Sequence, residues 1–128
     1  MERRRIPSGS PYEPEIGFSR ALVAGRHVHV SGTAPVPPPG GSVAPDAYTQ
    51  ARRCLEIVLG ALREAGAGPE HVVRTRTYLT DASDWQEVGR AHGEVFGEVR
   101  PASTMVVVAA LLDPAWKVEF EADALLDE

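Results

Sequence analysis

The sequence predicts an α+β domain, a single mixed sheet with two helices on one face. Three observations carry that expectation. Short runs of alternating apolar residues flank two segments with helical spacing, and the segments come in the order β-β-α-β-α-β. No internal repeat or composition break divides residues 1–128, so one domain is expected. A chain of 128 residues can bury a single core.

Ser19 to Ala24 reads as a strand. Gly25-Arg26 turns it into His27-Val28-His29-Val30-Ser31, where the valines take one face and the histidines the other. Gly32 follows at the strand end, where a missing side chain permits a bulge or a close approach. The proline-rich stretch from Pro35 to Pro45 is a surface loop. Asp46 is placed to cap a helix whose stripe is Ala47, Ala51, Cys54, Leu55, Val58 and Leu62, and Gly66 stops it. Val72 to Leu79 is the next strand and Asp81 to Asp84 a turn. Trp85 opens a second helix with Val88, His92, Val95 and Phe96 on one stripe, and Trp85 and Phe96 are expected as core anchors. After Pro101, Thr104 to Leu112 is a long apolar strand that predicts cover on both faces. Lys117 to Asp123 alternates and forms the last strand. Both helices lie on one face of the sheet, so self-association is the natural cover for the other.

Composition narrows the function. The net charge of −5 argues against a nucleic-acid partner, and the dense basic cluster Glu2-Arg3-Arg4-Arg5 reads as a solvated end. No apolar stretch reaches the roughly 20 residues needed to span a membrane. Cys54 is the only cysteine, and no signal-peptide pattern precedes the first strand, which predicts a cytoplasmic protein and a core thiol. His27, His29, His71 and His92 lack metal-ligand spacing, so neither a metal nor another cofactor is expected.

Several marks then recur together. They are Gly25 before a strand ending Ser31-Gly32, Asp46 with Gln50, Ala65-Gly66, Val72-Val73-Arg74 to Tyr78, Asp81 and Phe96. Pro101-Ala102 and Val118-Glu119-Phe120-Glu121-Ala122 complete the set. In this order they resemble the RidA (YjgF) family, whose active members hydrolyse reactive enamines and imines. The resemblance implies a chorismate-mutase-like fold. It also implies a homotrimer whose sheets form an inner barrel, with clefts at the subunit interfaces for a small-molecule ligand, a carboxylate or an imine.

The resemblance also assigns residues. The water-positioning glutamate falls on Glu119, the strand-end glycine on Gly32 and the covering aromatic on Phe18. The family arginine after Pro-Ala, which grips the substrate carboxylate, falls on Ser103, followed by Thr104 and then Met105 where cysteine is common. A cleft asparagine of some members falls on Gly89. Ser103 offers one neutral hydroxyl in place of a charged fork. Arg20, two residues after Phe18, is the candidate replacement cation; the alternative pairs it with a surface carboxylate. Three functions follow: an imine deaminase-like hydrolase of altered specificity, a non-catalytic metabolite-binding trimer, and, behind both, an endoribonuclease or translation inhibitor.

Overall fold

The computed structural model describes residues 1–128. Its elements are β1 (Arg3–Ile6), β2 (Ala21–Ala24), β3 (His27–Thr33), α1 (Ala47–Glu64), β4 (Val72–Leu79), α2 (Trp85–Phe96), β5 (Ala102–Val107) and β6 (Val118–Leu125). The strands form one six-stranded sheet in the order β1-β2-β3-β6-β4-β5. All neighbours are antiparallel except β4 and β5, which run parallel because α2 crosses over between them. No helix is long and apolar enough to cross a membrane.

The helices start and stop where their caps dictate. The Asp46 carboxylate accepts the Thr49 N–H at 2.9 Å and so satisfies an orphan donor of the first turn of α1. Gly66 takes φ 86°, and the Ala67 N–H returns to the Leu62 carbonyl to close the helix end. Gly25, at φ 61°, makes the β2–β3 turn. Val28, Val30, Phe120, Ala122, Leu55, Val58, Val88 and Phe96 meet between sheet and helices as a buried core. Each buried aromatic contributes on the order of 1.5–3 kcal/mol. Gln50 is buried too, yet fully used. Its amide donates to the Ala44 and Ala115 carbonyls and its oxygen accepts the Lys117 N–H.

The α+β domain with both helices on one face is as the sequence predicts, and four details differ. Arg3–Ile6 is an ordered edge strand paired with β2, not a solvated end, because Ile6 enters the core and anchors it. The order therefore gains a strand at the start, and β5 and β6 both follow α2. The strand expected over Thr104 to Leu112 stops at Val107 and lies at the sheet edge, with Val106, Val107 and Leu112 exposed in one chain. Trp85 is also exposed, at the first turn of α2 beside the edge residues Met105, Val106 and Val107, while Phe96 is buried as expected.

The sheet face away from the helices is polar. His29 Nδ1 lies 2.7 Å from Asp123 Oδ1, and Arg76 donates to the other Asp123 oxygen at 3.1 Å. The Tyr78 hydroxyl donates to Glu121.

Candidate functional site

One cluster forms where β3 meets β6. Val30 pairs with Ala122 and Thr33 with Phe120, so three steps on β3 match two on β6 and a bulge falls at Ser31-Gly32. The bulge sets Gly32 against the Glu119 side chain. A Cβ on residue 32 would lie 2.6 Å from Glu119 Oε2, so only glycine leaves that space to the carboxylate. Glu119 is half-buried. Burial first, and then Glu121, push its pKa above the ordinary value, while Arg20 draws it down.

Arg20 shares this corner. Its guanidinium donates to Thr33 Oγ1 at 3.0 Å, and the Thr33 hydroxyl donates to the Ser31 carbonyl at 2.8 Å. Burial lowers the Arg20 pKa, opposed by the charges of Glu13 and then Glu119. The surface ion pair considered for Arg20 is therefore not what holds it. The backbone stays extended at Phe18, and Arg20 still pairs with both neighbouring strands, its N–H donating to Ile6 and its carbonyl accepting from Ser31, although β2 proper begins at Ala21. Phe18 lines a separate concavity with Arg5, Leu22, His29 and Ser31.

A second cluster lies on β5 and α2. Arg100 enters it with φ 53°, a left-handed backbone immediately before Pro101 that costs on the order of 1–3 kcal/mol. Ser103 stands opposite Thr75 of β4 and accepts the Thr75 hydroxyl at 2.8 Å. The same Thr75 oxygen lies 2.8 Å from His92 Nε2, which completes a polar chain from the core to the exposed Ser103. His92 sits against Phe96 and Phe120, at 4.8 and 6.3 Å between ring centroids, and burial lowers its pKa. Thr104 accepts from Arg74 at 3.1 Å. Met105 lines a small apolar recess with Leu79, Trp85, Val106 and Val107. Gly89 has nothing within 4 Å of the place where a Cβ would stand.

The two clusters do not meet within one chain. Glu119 pairs with Tyr78, whereas Ser103 pairs with Thr75, one strand further out and three residues along. Sheet spacings put their Cα atoms roughly 14 Å apart, and the side chains take opposite faces. Gly32, Glu119 and Arg20 are brought together; Ser103, Thr104, Met105 and Gly89 are grouped elsewhere; Phe18 belongs to the neighbouring concavity. The Thr75–His92 link was not read from the sequence. Its signal was a threonine and a histidine on two apolar faces that must pack together.

A family model described as Endoribonuclease L-PSP matches residues 9–126. The fold superposes on Rv2704 of Mycobacterium tuberculosis, described as a member of the YjgF/YER057c/UK114 family. The TM-score is 0.88 at 44% identity, covering 98% of this chain and all of that one. The chain belongs to the RidA (YjgF) family. Among RidA relatives it is 40% identical to the uncharacterized protein SCO2049 of Streptomyces coelicolor, over 94% of this chain and 90% of that protein. It is 36% identical to the 2-iminobutanoate/2-iminopropanoate deaminase of Salmonella typhimurium, over 84% of this chain and 86% of the relative.

Proposed function

We propose that this protein is a homotrimeric imine or enamine hydrolase that prefers substrates without a carboxylate at the Ser103 position. Each cleft joins Gly32, Glu119 and Arg20 of one copy to Ser103, Thr104 and Met105 of the next. The observation that carries the reading is the half-buried Glu119 carboxylate lying over Gly32 with its pKa raised. Such a group can take a proton from water as the water adds to the C=N carbon, then return it to the nitrogen. Collapse of the carbinolamine gives a carbonyl compound and ammonia. The deaminase among the relatives supports the reaction class. Ser103 supports the shift in substrate, because a hydroxyl already engaged by Thr75 cannot replace a charged, bidentate grip.

Self-association is supported by Val106, Val107 and Trp85, apolar and exposed beside the open edge of β5. Sedimentation equilibrium at micromolar concentration should give a trimer, and a dominant monomer would sink the shared cleft. An ammonia-release assay should show faster turnover of a neutral imine than of 2-iminopropanoate, with both abolished in Glu119→Gln. Faster turnover of 2-iminopropanoate would refute the role given to Ser103.

A second reading, a metabolite-binding trimer without turnover, draws on Arg20, whose guanidinium bonds Thr33 through one nitrogen and keeps further donors for an anionic ligand. Saturable binding without ammonia release would favour it. The endoribonuclease in the family model's description is disfavoured by the net charge of −5.

A further inference from the structure

Ser103 ends a chain of three polar groups whose order imine hydrolysis leaves unused. Thr75 is buried on β4, and its hydroxyl lies 2.8 Å from Ser103 Oγ on one side and 2.8 Å from His92 Nε2 on the other. A threonine hydroxyl carries one hydrogen, so it donates to one neighbour and accepts from the other. The chain runs inward to His92 or outward to Ser103, never both ways at once.

His92 decides which. Its ring packs against Phe96 and Phe120, and burial lowers its pKa with no charged side chain adding to or opposing the effect. The ring is therefore neutral at neutral pH and holds a single N–H. Nδ1 has no hydrogen-bond partner within the chain, so nothing draws that hydrogen away from Nε2. With the hydrogen on Nε2, Thr75 accepts from His92 and donates to Ser103. Protonation of the ring leaves this direction as the only one. Ser103 stands exposed on the edge strand, and with its oxygen accepting from Thr75 its own hydrogen turns outward.

We propose that Thr75 and His92 are positioning residues that aim the Ser103 hydroxyl at the substrate, so that this position selects imines bearing a neutral hydrogen-bond acceptor, the carbonyl of a carboxamide above all. This preference presupposes the shared cleft proposed above, in which Ser103 faces the substrate. A carboxamide oxygen accepts the outward hydrogen, and the amide N–H can return to the remaining lone pair of Ser103. A carboxylate would gain only one neutral donor while losing the solvation of its charge, and a hydrocarbon substituent would leave the hydroxyl unpaired. The charged groups facing the ligand in that cleft are Glu119 and Arg20 of the other copy, and two neutral probes of one shape meet them alike.

The test is titration of the full chain with two such ketones, pyruvamide and methyl isopropyl ketone, followed by NMR. Pyruvamide should bind about three- to tenfold more tightly, the worth of one hydrogen bond. Ser103→Ala should abolish that preference. The ring-proton signal of His92, assigned by its loss in His92→Gln, reports on the chain. Pyruvamide should raise the His92 pKa, because the charged ring permits only the outward direction and the coupling is reciprocal. Methyl isopropyl ketone should not raise it. Thr75→Val should remove the rise and Thr75→Ser should keep it. Equal affinities, a preference that survives Ser103→Ala, or no binding of either ketone at millimolar concentration overturns the proposal. No rise in the wild type, or a rise that survives Thr75→Val, overturns the roles of Thr75 and His92. Ammonia release from a neutral imine without a preference for pyruvamide would overturn this selection alone. The preference without any ammonia release would overturn the hydrolase and leave the selection standing.

Discussion

Glu119 occupies the space that a side chain on Gly32 would need: a Cβ there would lie 2.6 Å from the carboxylate oxygen. The conflicting atom is the far end of a flexible side chain, so Gly32→Ala should fold and displace the carboxylate. Turnover should fall on the order of a hundredfold, the cost of a misplacement near 1 Å. The thermal midpoint should change little. A large loss of stability with unchanged specific activity would contradict the assignment.

The raised pKa of Glu119 gives a pH signature with a definite sign. Above its ordinary value of 4.5 the unfolded chain releases this proton while the folded chain still holds it. Stability contributed by the group is therefore lost as pH rises through the window between 4.5 and the folded value. Glu119→Gln should stabilise the protein at neutral pH and have little effect below 4.5, as denaturant titrations at the two pH values would show. The acid limb of the rate profile should lie above the usual carboxylate range. Arg20→Gln removes the one cation that draws this pKa down, so it should move the limb higher still.

Ser103→Arg should raise hydrolysis of 2-iminopropanoate above the wild-type rate, read by ammonia release, and added Glu119→Gln should remove it. The gain should be partial, because Phe18 and Gly89 also differ from the residues expected of active members. The variant gives up the hydrogen bond from Thr75, a loss of about 1 kcal/mol.

Thr77 Oγ1 is buried without a hydrogen-bond partner. Thr77→Val keeps the shape and removes the orphaned hydroxyl, so stability should rise by about 1 kcal/mol. Chemical denaturation checks it; a loss of stability would show that the hydroxyl has a partner after all.

Cys54 is fully buried, and burial pushes its thiol far above the ordinary value. Iodoacetamide should leave the native protein unlabelled and modify it only after unfolding. Labelling of the native protein at neutral pH would mean that α1 opens readily.

The sequence made α1 and α2 legible because Asp46, Gly66 and the apolar stripes act locally. The β2–β3 hairpin was legible for the same reason, through Gly25 and the His-Val alternation. β1 was hidden, since three of its four residues are exposed arginines and Ile6 alone carries the burial signal. β5 misled in the other direction: an apolar run predicts cover, but within one chain only Met105 packs against the core and the rest of the strand is exposed. Glu119 and Gly32 could be named in advance, whereas the Arg20–Thr33 bond and the Thr75–His92 contact depend on packing between elements far apart in sequence.

The position of each candidate residue in the sheet also decides how freely it can drift. Glu119 lies on β6, held between β3 and β4, where a change must satisfy two neighbouring strands and the Gly32 backbone at once. Ser103 lies on the edge strand, exposed, with Thr75 its only side-chain hydrogen-bond partner. Most substitutions there leave the core untouched. Mutational wandering on this scaffold is therefore freer at Ser103, the position proposed to set recognition, than at Glu119, the proposed carrier of the proton.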